Sequence, residues 1–183
     1  EDGIRDYKVT GVQTCALPIF YFDALKARDG LASGFTAWTP AVTLIAGLRE
    51  ALSMILAEGL EQCWARFATL ARATRAAATA VGLDLYAKSP SDAVTAVRVP
   101  ESVDGHQLVE RLRRAYGIRV AEGQERLKGR IFRVAHMGYL DQLDIIAFAS
   151  ALELTLRDCG WPLEIGAAVS AVQGIYAGTI DKD

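Results

Sequence analysis

Between Leu60 and Val81 the residues Leu60, Cys63, Phe67, Leu70, Thr74, Ala77 and Val81 step by three and four without a break. That spacing predicts one long helical stretch with a continuous inward stripe, closed by Gly82 as a natural C-cap. Beyond Gly82 the pattern changes to short β-branched runs, so the chain must supply a sheet layer beside its helices. Upstream, "TPAVTLIAGLREALSMIL" places Leu44, Leu48, Ala51, Leu52 and Ile55 on one side of a second helix. Thr39 is its expected N-cap and Pro40 its first turn. Gly59 either kinks one long helix or separates two.

From Leu83 onward the order is strand, helix, strand, strand, helix. "LDLYA" and "AVTAVRVP" read as strands, the second closed by Pro100. "DGHQLVERLRRAYG" reads as a helix capped by Asp104, with Leu108, Leu112 and Ala115 inward. "IRVA" and "RIFRVAH" return to strand character. "DQLDIIAFASALELTLRDCG" predicts a long helix with Asp141 and Asp144 at the positive end of its dipole. The tail "EIGAAVSAVQGIYAG" predicts a further helix. The expected class is α/β, ending in a small α+β layer of helices on a short sheet.

The 183 residues carry 51% apolar and 23% charged side chains, a globular composition. A net charge of −2 offers no footprint for nucleic acid or an anionic membrane. No apolar run is long enough to span a bilayer. Cys15, Cys63 and Cys159 are odd in number and lack metal-ligand spacing, which predicts thiols in a reducing compartment, the cytoplasm. The first nineteen residues, "EDGIRDYKVTGVQTCALPI", show no period and resemble a translated sequencing-library adapter. They are set aside from fold reasoning, with Lys8 and Cys15.

One residue breaks its surroundings. In "KGRIFRVAHMG" a strand would put Arg133 on the face of Ile131 and Ala135, with Phe132 and Val134 on the other. Phe132 and Val134 make the more obvious core pair, which turns Arg133 toward a cleft. A desolvated guanidinium needs a carboxylate or phosphate, and its fork suits a carboxylate bidentately. The alternatives are an ion pair with an acid of the same chain, or plain exposure at a sheet edge.

"FTAWTPAVTLIAGLREAL" and, some ninety residues later, "GQERLKGRIFRVAHMGYLDQLD" together resemble the C-terminal part of the class V pyridoxal-phosphate aminotransferases. The branch is that of the alanine–, serine– or ureidoglycine–glyoxylate enzymes. "YFD" near the start and "VTAVRVPESVDG" between the blocks extend the likeness from Phe20 to the end. It implies a fragment of a fold-type-I transferase acting as a homodimer. Residues 20–82 would be the remnant of the large domain with its linking helices, and residues 83–183 the small C-terminal domain. The amino group would pass from alanine, serine or a similar donor to glyoxylate or pyruvate. By the resemblance Arg133 binds the substrate α-carboxylate, while Thr36 and Thr39 reach the cofactor phosphate of the neighbouring subunit. For Thr39 simple helix capping stays open.

The match has departures: Glu122 and Glu125 stand where relatives usually carry glycine, and "RVAHMG" replaces "RIGHMG". An added carboxylate could weaken anion binding or pair with Arg126. His136 is expected to be structural. The family's Schiff-base lysine and the acid that pairs with the pyridine nitrogen lie upstream of "YFD". Lys26, Lys88, Lys128 and Lys182 lack the catalytic context, so the chain alone is expected to be inactive. Two other readings are a class V lyase or desulfurase, which needs a nucleophilic cysteine on a loop, and a non-catalytic α+β interaction module.

Overall fold

The computed structural model describes residues 23–180. The adapter-like segment, Cys15 and Lys182 lie outside them. The chain divides into two compact units, one ending at Ala57 and the other beginning at Glu58.

In the first unit, helix α1 (Ala24–Ala32) is capped by Asp23, whose carboxylate accepts from the Leu25 and Lys26 N–H groups at 3.0 and 3.2 Å. The loop after α1 returns tightly over Gly30, where a Cβ would meet Ala37 N and Phe35 O at 3.0 Å. Lys26 Nζ sits 4.8 Å from the Trp38 ring centroid. Helix α2 (Val42–Glu58) forms over the predicted stretch but starts later than expected. Its first backbone bond runs from Ile45 N–H to Ala41 O, so Thr39 is not its cap. Pro40 supplies only a carbonyl, to Val42 N–H at 2.8 Å. The apolar positions Leu44, Leu48, Leu52 and Ile55 are exposed among the described residues.

Gly59 separates two helices: its φ of +93° is open to glycine and strained for other residues. In the second unit, helix α3 (Leu60–Ala80) ends as its pattern predicts, with Gly82 left-handed at φ +79°. The Trp161 indole N–H donates to Val81 O at 2.9 Å and covers that end. The inward face of α3 is rich in alanine: Ala71, Ala73, Ala77 and Ala78 are buried. Small side chains allow helices to lie close together. Helix α6 (Ala167–Ile180) lies along α3, with Ala168 and Val172 buried. The start of α6 is held by Glu153, a buried carboxylate that accepts from the N–H groups of Gly166, Ala168 and Val169. Glu153 projects from α5 (Gln142–Asp158), whose own start has a capping box between Asp141 and Asp144.

The sheet has three antiparallel strands, β1 (Val94–Arg98), β2 (Ala121–Glu122) and β3 (Ile131–Ala135), in the order β1-β3-β2. Helix α4 (Gly105–Tyr116) joins β1 to β2, capped by Asp104 and ended by left-handed Gly117. The core gathers Leu70, Val97, Leu108, Leu112, Phe132, Phe148, Leu152 and Leu156.

Two strand expectations need correction. "LDLYA" makes one bridge, Leu85 to Val97, flanked by Tyr86 N–H to Ala96 O and Arg98 N–H to Asp84 O. It follows β1 too briefly to form a ladder. "IRVA" pairs only from Ala121, because the turn at Gly117 leaves Ile118 bonded back to Leu112 O. Among the described residues no helix is long and apolar enough to cross a membrane.

Candidate functional site

The central strand β3 sorts its side chains as alternation demands. Phe132 and Val134 are buried against the helices, and their partners across β1 are Val97 and Thr95. Arg133 emerges on the opposite face between Ala96 of β1 and Ala121 of β2, which pair with it directly. Two methyl side chains leave the guanidinium room to lie over the sheet. It is half-buried, and Nε and Nη2 both donate to Glu122 O, at 3.2 and 3.0 Å.

The bond from Gly123 N–H to Ile131 O fixes the alternation at this edge. The carbonyl of Glu122 therefore turns outward, and Arg133 crosses Ala121 to reach it. Among the described residues no carboxylate lies within ion-pair distance of Arg133. Its Nη1–Nη2 edge is left to offer two parallel donors, the arrangement that a carboxylate accepts bidentately.

Glu122 does not oppose that use. Its side chain lies on the Phe132 face of the sheet, where His106 Nδ1 meets Oε1 at 3.0 Å. It forms no pair with Arg126. Glu125 opens the 3₁₀ turn Glu125–Leu127 with φ +48°, a left-handed backbone in a residue other than glycine.

The exit from β3 is pinned from α3. Arg66 Nη1 donates to Gly138 O and Leu140 O at 3.1 and 2.9 Å, while Nε and Nη2 grip Glu58. The Arg66 guanidinium, with help from the Cys63 thiol, holds the Glu58 carboxyl down at about 2. His136 is fully buried, with Nδ1 3.3 Å from Asp92 O, and burial lowers its pKa. It belongs to the core face, as expected of a structural histidine.

Thr36 and Thr39 lie in the first unit, in the exposed loop before α2. The Thr36 hydroxyl donates to Trp38 O at 2.6 Å. The Thr39 hydroxyl makes no hydrogen bond, and no side chain caps the first turn of α2, among the described residues. The loop thus offers a hydroxyl and helix N–H donors that can face an anion. Arg133 belongs to the second unit. The two cysteines among the described residues are unlike activated nucleophiles. Cys63 is buried in α3, and its thiol is pushed up by its bond to Glu58; Cys159 ends α5 and is pushed up by burial.

The holding contacts of Arg133 and of the β3 exit were not foreseen from sequence. A backbone carbonyl such as Glu122 O leaves no signature in residue type, and Arg66 lies on a helix far from β3 in the chain.

No protein-family model matches the chain. It is 40% identical over 168 residues to a protein named soluble hydrogenase, small subunit, from Synechococcus sp., covering 90% of this chain and 44% of that protein. It is 35% identical over 180 residues to an L-aspartate–glyoxylate aminotransferase of Paracoccus denitrificans, covering 97% of this chain and 46% of the relative. Among solved structures, ureidoglycine–glyoxylate aminotransferase of Bacillus subtilis superposes with a TM-score of 0.80 at 29% identity, over 91% of this chain and 45% of that one. Pyridoxamine–pyruvate aminotransferase of Mesorhizobium loti gives 0.74 at 36% identity, over 78% and 38%. The chain spans a little under half the length of the curated relatives it matches. Its α/β architecture is that of the corresponding part of pyridoxal-phosphate aminotransferases.

Proposed function

We propose that this chain is the C-terminal part of a class V pyridoxal-phosphate aminotransferase that moves an amino group from alanine, serine or a similar donor to glyoxylate or pyruvate. The observation that carries the reading is Arg133: a half-buried guanidinium with one edge held by Glu122 O and the other without a carboxylate from the described residues. Relatives named as glyoxylate and pyruvate aminotransferases over 78–97% of this chain support it.

Bound pyridoxal phosphate supplies an electron sink for bond changes at the Cα of the amino acid. The residues of this chain bind and orient. Arg133 holds the α-carboxylate on a rigid strand and so fixes the direction in which the Cα proton points. Amino acid and 2-oxo acid share that carboxylate, so one arginine serves donor and acceptor alike. Thr39 and the uncapped start of α2 fit a phosphate. Thr36 fits once its hydroxyl turns from Trp38 O. In a homodimer these donors serve the site of the neighbouring subunit.

The lysine that carries the cofactor is none of Lys26, Lys88 or Lys128, each exposed, the first lying over Trp38. On this reading, as the family resemblance implies, the catalytic lysine and the acid at the pyridine nitrogen belong upstream of the block matching "YFD", and this chain alone is inactive. Neither Cys63 nor Cys159 is an activated thiol, and the lyase and desulfurase reading loses ground. The relative named as a hydrogenase subunit supports a second reading, a subunit of a redox enzyme.

The test is an assay of the full-length protein with pyridoxal phosphate. The expected result is the visible absorbance of protein-bound cofactor and amino transfer from alanine or serine to glyoxylate. A full-length protein that neither binds the cofactor nor transfers an amino group would contradict the proposal.

A further inference from the structure

We propose that Glu122 and His106 are positioning residues for Arg133, a tether that runs from the first turn of α4 to the substrate-binding guanidinium. The inference rests on the reading that Arg133 meets a substrate carboxylate, and it concerns what aims that guanidinium.

The edge strand β2 has two residues, so few ladder bonds hold it. Yet the main-chain oxygen of Glu122 is the one acceptor that Arg133 uses among the described residues. A guanidinium is planar, so moving the acceptor on its Nε–Nη2 edge turns the adjoining Nη1–Nη2 edge equally. The aim of the substrate-facing edge therefore depends on where β2 sits.

The structure anchors this carbonyl through the side chain of the same residue. Glu122 Oε1 accepts from His106 Nδ1 at 3.0 Å. His106 is itself set in the first turn of α4, where Asp104 Oδ1 accepts from its N–H at 2.9 Å and from Gln107 N–H at 3.0 Å. That turn is seated closely: a Cβ on Gly105 would meet Gly129 O at 2.2 Å. The residue after Glu122 is equally confined, since a Cβ on Gly123 would lie 2.1 Å from Leu127 O. Glu122 is the link between these fixed points and Arg133. The His106 side chain is 73% exposed and that of Glu122 21%, so the tether is tunable without disturbing the core.

The experiment compares His106→Ala, Glu122→Ala and the double variant in the full-length enzyme. Each single change should raise the KM for the amino donor about two- to fivefold, as befits a partly exposed pair, with kcat unchanged. The double variant should do no more than either single, because both cut the same link. Additive effects, or a wild-type KM in His106→Ala, would overturn the proposal. Exposed His106 makes its variant safe for folding.

A second readout does not depend on activity: the ¹H–¹⁵N signal of Arg133 Nε–H should shift in His106→Ala and in Glu122→Ala. An unmoved signal overturns the tether. If Arg133→Ala itself leaves KM unchanged, the substrate reading fails, and the Nε signal still decides whether Glu122 and His106 aim the guanidinium.

Discussion

Glu125 carries a strained backbone for its residue type. At φ +48° the Cβ of any L residue crowds its own carbonyl, at a cost of roughly 1–2 kcal/mol. Glu125→Gly should therefore raise unfolding free energy by about 1 kcal/mol, read from urea denaturation; a loss of stability would show that the Glu side chain compensates. His136 makes a pH prediction. Burial depresses its folded pKa below the ordinary 6.5, so the folded state favours the neutral ring. The resulting stability is present above pH 6.5 and drains away as pH falls through the lowered value. His136→Leu should flatten that part of the stability profile, whereas an unchanged slope would place its origin elsewhere. Arg133 was legible because one charge in an apolar run stands out. Its dependence on Glu122 O and His106 was not, since the first contact is made by main chain and the second joins residues sixteen apart.

Helices were read most fully at the level of elements because their signals are local. The stripe of α3 with its Gly82 stop, the Asp104 cap and the acids Asp141 and Asp144 at the start of α5 all lie within their own segments. Strands depend on partners elsewhere. "LDLYA" and "IRVA" have strand composition, yet each runs beside a neighbour for too few residues to form the expected ladder. The role of α6 was also hidden, because its start is held by Glu153 from the preceding helix. Glu153→Leu leaves the buried N–H donors of α6 without an acceptor, with a cost of about 1–3 kcal/mol. Thermal unfolding should show it as a lower midpoint, with loss of the α6 amide protection in hydrogen exchange before that of α3. Equal protection in the variant would mean that α6 does not rely on this carboxylate.

Over the whole molecule, the resemblance rested on several blocks in order, and the matches to aminotransferase structures bear it out for the fold. What sequence could not supply is what lies against α2, whose apolar positions are exposed among the described residues; periodicity marks a face and leaves its partner unnamed. Thr36 and Thr39 belong to the first unit and Arg133 to the second. What Arg133 binds decides the function. The most direct measurement is the amino-donor KM of Arg133→Ala in the full-length enzyme, taken beside its affinity for pyridoxal phosphate. Losing a charge-assisted pair worth roughly 1.5–3 kcal/mol should raise KM by about ten- to a hundredfold and leave cofactor affinity unchanged. An unaltered KM, or a loss confined to cofactor binding, would contradict the assignment of Arg133 to the substrate carboxylate.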